Sequence, residues 1–165
     1  MNLTNFGKKK IMIQRIQSLF LLCALILTGS LFFLDLAQLA TADSLYTLTN
    51  KGIVLTGAED IVQVAMPALA LNMLLIVTVL VTAVSIFLYK KRLLQIRLCG
   101  LNMGLLLGLS VMIFFFGKMA ASELNAELSF NWPLVAPLVS MVLVFLAIRA
   151  IGKDEALVRS LDRIR

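Results

Sequence analysis

Histidine is missing altogether from the 165 residues. That removes the side chain most used as general base and metal ligand near neutral pH. Charge is scarce too: 15% of residues are charged, against about 25% in soluble domains. Cysteine occurs twice, at Cys23 and Cys99, with no CxxC spacing. The two read as small buried hydrophobes rather than as a disulfide or a metal pair. No Asp, Glu, Lys or Arg lies in the centre of any long apolar run. Ion-coupled carriers place ionisable groups there, so their absence argues against that class, though not against passage of a neutral solute. No nucleophile–base constellation and no carboxylate pair occurs within the apolar runs. The chain reads as a non-enzyme, with no catalytic residue, cofactor or metal assigned.

What is present is apolar: 61% of the residues are hydrophobic and the mean hydropathy is +0.98. A chain of this length cannot hide so much apolar surface in one water-soluble core, which makes it an integral membrane protein with the lipid bilayer as its solvent. Crossing about 30 Å of hydrocarbon takes roughly 20 apolar residues in a helix. Four segments qualify: Ile16 to Leu34, Val64 to Leu88, Leu98 to Gly117 and Trp132 to Ile151. Backbone groups in lipid must be satisfied internally, so each is expected to be helical. The expected fold class is an all-α, four-transmembrane-helix bundle.

Basic residues in short loops orient such a bundle. Lys8, Lys9, Lys10 and Arg15 precede the first span. Lys90, Lys91, Arg92 and Arg97 surround the second loop, and Arg149, Lys153, Arg159, Arg163 and Arg165 follow the fourth span. Thus 13 of the 15 basic residues fall on one side, leaving Lys51 and Lys118 with six of the nine acids on the other. Both termini are expected in the cytoplasm. Topology accounts for the net charge of +6, so nucleic acid is not a partner on this reading. A cleaved signal peptide ending near Ala40 to Ala42 is the alternative for the first span. The apolar run is longer than the usual 7–15 residues, and Asp35 separates it from that site, which favours an uncleaved span.

Outside the spans, "SLYTLTNKGIVLTG" has two β-favouring runs separated by Asn50, Lys51 and Gly52, a small extracytoplasmic β-hairpin with a three-residue turn. The second outer loop, "KMAASELNAELSFNW", is expected to hold a short amphipathic helix with Leu124 and Leu128 four apart and to support the hairpin. Trp132 belongs at the interface. Within the spans, Thr78, Thr82 and Ser85 share a face, suited to packing rather than to a solute path. Gly100, Gly104 and Gly108 repeat the GxxxG spacing, a candidate helix-packing groove for this chain or another subunit. Asn72 and Asn102 share the string Leu-Asn-Met at different depths, which reads as coincidence and not as an inverted repeat. Pro67 stands near the start of the second span, and Pro137 is a candidate kink in the fourth.

The tail "GKDEALVRSLDRIR" has Gly152 as a helix stop and Asp154 as a new N-cap. Leu157, Leu161 and Ile164 then form an apolar stripe, opposite Glu155, Arg159, Asp162 and Arg163. This is a cytoplasmic C-terminal amphipathic helix lying on the membrane or on helix ends. The organisation expected is a basic extension at 1–11, a membrane domain at 12–151 and a tail helix at 152–165.

"MIQRIQSLFLLCA" from Met12 and the closing "KDEALVRSLDRIR" resemble a family of small four-helix inner-membrane proteins from Bacteroidota, a domain of unknown function (DUF4293). The resemblance runs from Met12 to Arg165. It implies a multi-pass protein of the bacterial inner membrane and no particular activity. Residues 1–11 have no counterpart in it, so Met12 is an alternative start. Both matched motifs fall on the cytoplasmic side. Gln14, Arg15 and Gln17, together with Asp154, Glu155, Arg159, Asp162 and Arg163, are the candidate cytoplasmic interaction residues, with the tail docking on "MIQRIQ". Independent snorkelling of Arg15 and the tail arginines is the competing reading. The leading functional expectation is a structural or accessory subunit of a membrane complex, with a membrane-protein partner or homo-oligomer. A small passive transporter or lipid-handling protein is the alternative. A continuous water path past Thr78 and Thr82 would favour that alternative, and a sealed bundle the first.

Overall fold

The computed structural model describes residues 3–42, 44–56 and 64–162, with side chains for 17–42, 44–55, 68–89, 91–154 and 156. Four helices dominate: α1 (Leu3–Ser30), α2 (Leu69–Phe87), α3 (Arg92–Leu124) and α4 (Ala136–Asp162). Short 3₁₀ turns at Leu88–Lys90 and Trp132–Val135 link α2 to α3 and lead into α4. Three stretches are long and apolar enough to cross a membrane: Leu69–Phe87, Arg92–Leu124 and Trp132–Asp154. The described apolar part of α1, Gln17–Ser30, is shorter. The chain is a multi-pass membrane protein by this measure.

The buried positions explain why the helices associate. In α1 they are Gln17, Leu21, Ala24 and Thr28 among the described side chains, continued by Leu31 in the turn that follows. In α2 they are Leu71, Leu75, Thr78, Thr82 and Ser85. In α3 the row begins Gln95, Cys99, Asn102, Leu106, Leu109, Ile113, and in α4 it runs Ser140, Val144, Ala147, Ile151, Asp154. Steps of four and three alternate through most of each row. That spacing keeps one narrow seam facing the neighbours, as in left-handed bundles. The opposite faces carry exposed Leu, Ile, Val, Met and Phe, as a lipid-facing surface requires. α1 packs on α4 and α2, and α3 packs on α2 and α4.

A five-stranded antiparallel sheet covers one end of the bundle, in the order β4-β3-β2-β1-β5. Its strands are β1 (Ala37–Ala40), β2 (Leu45–Thr49), β3 (Gly52–Thr56), β4 (Val64–Pro67) and β5 (Glu127–Phe130). Ala37 and Leu39 on β1 alternate with exposed Gln38 and Ala40. The inward row joins Leu48 and Ile53 in one core with Leu71, Leu75, Leu109 and Ile113 of the helices. The sheet is therefore fused to the bundle rather than tethered above it.

Several expectations change. The hairpin exists as β2–β3, but Thr49 pairs with Gly52, so its turn has two residues, not three. Gly52 takes φ 142°, a conformation that favours glycine. The second outer loop holds no separate helix. α3 extends to Leu124, Asn125 turns left-handed at φ 47°, and the next residues become β5 beside β1. An αL residue commonly ends a helix this way. The fold class is accordingly helical with a five-stranded sheet, larger than a hairpin. The second span begins at Leu69 rather than Val64, because 64–67 is strand and Pro67 is its last residue. Pro137 falls in the first turn of α4, where a missing N–H costs little. Gly152 does not stop α4, and Asp154 is no N-cap: the helix is unbroken to Asp162, so the expected separate tail helix is its last turns.

Candidate functional site

At the end remote from the sheet, the last buried side chain described on each helix is polar. These are Gln17 on α1, Ser85 on α2, Gln95 on α3 and Asp154 on α4. The short link Leu88–Lys91 forces the end of α2 beside the start of α3. Arg92, the first residue of α3, reaches across to α4, where its Nη2 lies 2.9 Å from Asp154 Oδ2. The Asp154 side chain is 5% exposed and that of Arg92 is 22% exposed. A carboxylate this buried holds its charge only with a partner, so the pair joins the two helices.

Above this pair the α2–α3 seam is polar for about two turns. Gln95 Nε2 donates to Ser85 O at 3.0 Å, and Asn102 Nδ2 donates to Thr82 Oγ1 at 2.9 Å. The hydroxyls of Thr78, Thr82 and Ser85 each donate to the carbonyl one turn back, at 2.7 Å. All three residues are fully buried. Hydroxyl donors spent within their own helix, and sealed against a neighbour, leave no lined path along this face. Two amide atoms in this half of the bundle, Gln17 Nε2 and Asn102 Oδ1, are buried without a partner among the described residues.

Of the candidates read from sequence, Gln17 and Asp154 fall in this layer. Asp154 pairs with Arg92. The side chains of Gln14, Arg15, Glu155, Arg159 and Asp162, and all of Arg163, lie outside the described residues, as does any docking among them. Arg92, Gln95 and Asn102 were missed as site residues. Arg92 had been read only as a topological charge. Asn102 had been read as coincidence, although it stands seven residues after Gln95 on the buried row. A Cβ at Gly100, Gly104 or Gly108 would meet nothing within 4 Å. Their groove does not hold another described helix of this chain.

The family model for DUF4293, a domain of unknown function, matches residues 13–164. The chain belongs to this family. Among curated proteins, none matches it. The DUF4293 match takes in all of the sheet, α2, α3, and α1 from Ile13. The buried polar layer, from Gln17 to Asp154, therefore sits wholly within the DUF4293 domain. The arrangement in this DUF4293 chain can hold helices together; its one described ion pair is closed, and its seam hydroxyls are engaged.

Proposed function

We propose that the chain is a four-span protein of the bacterial inner membrane, both termini cytoplasmic, that serves as a structural or accessory subunit of a membrane complex and carries out no catalysis. The polar face of α2 carries this reading: Thr78, Thr82 and Ser85 are fully buried with their hydroxyls engaged, and Thr82 and Ser85 are bonded to α3, as in a packed scaffold. The same sealing weighs against a passive solute path. A fourth span is supported by the 28 residues of α1, about 42 Å of helix at 1.5 Å per residue. Orientation rests on the distribution of Lys and Arg. The open row of Gly100, Gly104 and Gly108 supplies a surface where another protein's helix can approach closely. Purification in gentle detergent, followed by native mass spectrometry, tests the reading. A reproducible stoichiometric complex that Gly104→Ile disperses is the expected result. Repeated recovery of the monomer alone overturns it.

A further inference from the structure

The sheet end of α3 carries a feature that the accessory-subunit reading does not use. Met112, Phe115, Phe116, Lys118 and Met119 line an open groove of about 460 Å³. The four apolar residues recur at i, i+3, i+4 and i+7, so they form one stripe, with Phe115 and Met119 well exposed. Lys118 closes the stripe at its outer end. Its Nζ lies 5.1 Å from the centre of the Phe114 ring, and that ring stacks on Phe130 of β5 at 5.6 Å. A sheet residue thus fixes the ring that in turn positions the ammonium.

The depth of Lys118 follows from helix geometry. No charged residue lies between Arg97 and Lys118. Those 21 steps along α3 span about 32 Å, close to the thickness of the hydrocarbon layer. With Arg97 at one headgroup layer, Lys118 stands at the other, and the stripe descends from it into hydrocarbon. Among the described residues no carboxylate lies within ion-pair distance of Lys118; the one described ion pair belongs to Arg92 and Asp154. An ammonium with no described carboxylate partner at headgroup depth, above an apolar groove, matches a ligand with an anionic head and an apolar tail.

We infer that this groove binds an outer-leaflet phospholipid, its phosphate on the Lys118 ammonium and an acyl chain along Met112, Phe115, Phe116 and Met119. The inference rests on the membrane orientation proposed above, not on the accessory role. Methionine and phenylalanine suit a flexible chain, because thioether and ring adapt to an irregular apolar surface. Lys118 selects the phosphate by charge, and the Phe114–Phe130 stack keeps that charge in place.

The test uses the full chain, delipidated in detergent and titrated with phosphatidylglycerol or with diacylglycerol, which has the same tails and no phosphate. Native mass spectrometry reads the bound lipid. Expected are one retained phosphatidylglycerol and a preference over diacylglycerol that Lys118→Gln reduces about fivefold. Lys118→Arg should keep the preference, and Phe130→Leu, which removes the stack, should weaken it. Equal retention of both lipids, or a Lys118→Gln variant that binds as wild type does, overturns the inference. Inorganic phosphate competing as well as the lipid also overturns it, because the tail then contributes nothing. Carbonate extraction and impermeant labelling at Lys118→Cys check the orientation separately. Labelling from the cytoplasmic side would remove the membrane premise, whereas lipid indifference with correct labelling would remove only the site.

Discussion

Removing Arg92 should destabilise the bundle more than removing Asp154, and the reason lies in the geometry of the pair. Asp154 is 5% exposed, so Arg92→Met leaves a carboxylate buried without its cation. Breaking a buried pair from one side costs roughly 3–5 kcal/mol. Arg92 is 22% exposed, which admits some solvent and points to the lower end, about 3 kcal/mol. Asp154→Leu leaves an arginine on the first turn of α3 that can bend its head toward water, at a cost of about 1 kcal/mol. The double variant Arg92→Met, Asp154→Leu replaces both charges with apolar groups and should recover to within about 1 kcal/mol of the parent. Cys99, fully buried, provides the reporter: its labelling by a maleimide follows unfolding in a Cys23→Ser background. Equilibrium unfolding in mixed micelles across this double-mutant cycle then gives the coupling directly. Strictly additive single variants, or a double variant no more stable than Arg92→Met, would refute the assignment of this pair as the fastening between α3 and α4.

Four further outcomes follow from other parts of the structure. Thr82→Val should cost about 1 kcal/mol more than Asn102→Leu, measured by the same unfolding assay. The first strands a buried amide whose oxygen already lacks a partner, whereas the second removes that amide altogether. Gly117→Ala should lower thermal stability by about 1 kcal/mol, since its Cβ would lie 3.1 Å from the Phe130 ring, held by stacking on Phe114. Gly104→Ala, which meets nothing within 4 Å, should leave isolated-monomer stability unchanged or raise it by up to about 1 kcal/mol in the same melt. Gly52→Ala, at φ 142° where β3 leaves the hairpin turn, should cost about 1 kcal/mol or more and raise proteolysis of the sheet in intact protein.

The helices were legible because composition decides them: long uncharged runs such as 98–117 admit only one structure in lipid. The face of Thr78, Thr82 and Ser85 was legible from period alone, and so was the β2–β3 hairpin from its alternation around Asn50–Gly52. The rest of the sheet was not. β1, β4 and β5 have four residues each, too few for a period to declare itself. Val64 to Met66 merged into the apolar run that follows, and only Pro67 marked the boundary. Leu124 and Leu128 satisfied a helical spacing by chance. The signal that cuts it is Asn125, whose left-handed backbone is a matter of long-range pairing between β5 and β1. Gly152 suggested a stop, but glycine costs a helix only about 1 kcal/mol. Asp154, two residues on, is held by Arg92 from another helix. Such a partner is 62 positions away in sequence and has no local signature.

Orientation and span number are read most directly by cysteine accessibility in intact cells. In a background lacking Cys23 and Cys99, single cysteines at Asn5, Lys51, Lys91, Ser129 and Lys153 meet a membrane-impermeant maleimide before and after permeabilisation. Labelling of Lys51→Cys and Ser129→Cys in intact cells is expected, with Asn5→Cys, Lys91→Cys and Lys153→Cys protected until the membrane is opened. Labelling of Asn5→Cys in intact cells would contradict the fourth span, and a reversed pattern would contradict the orientation on which the buried polar layer becomes the cytoplasmic end.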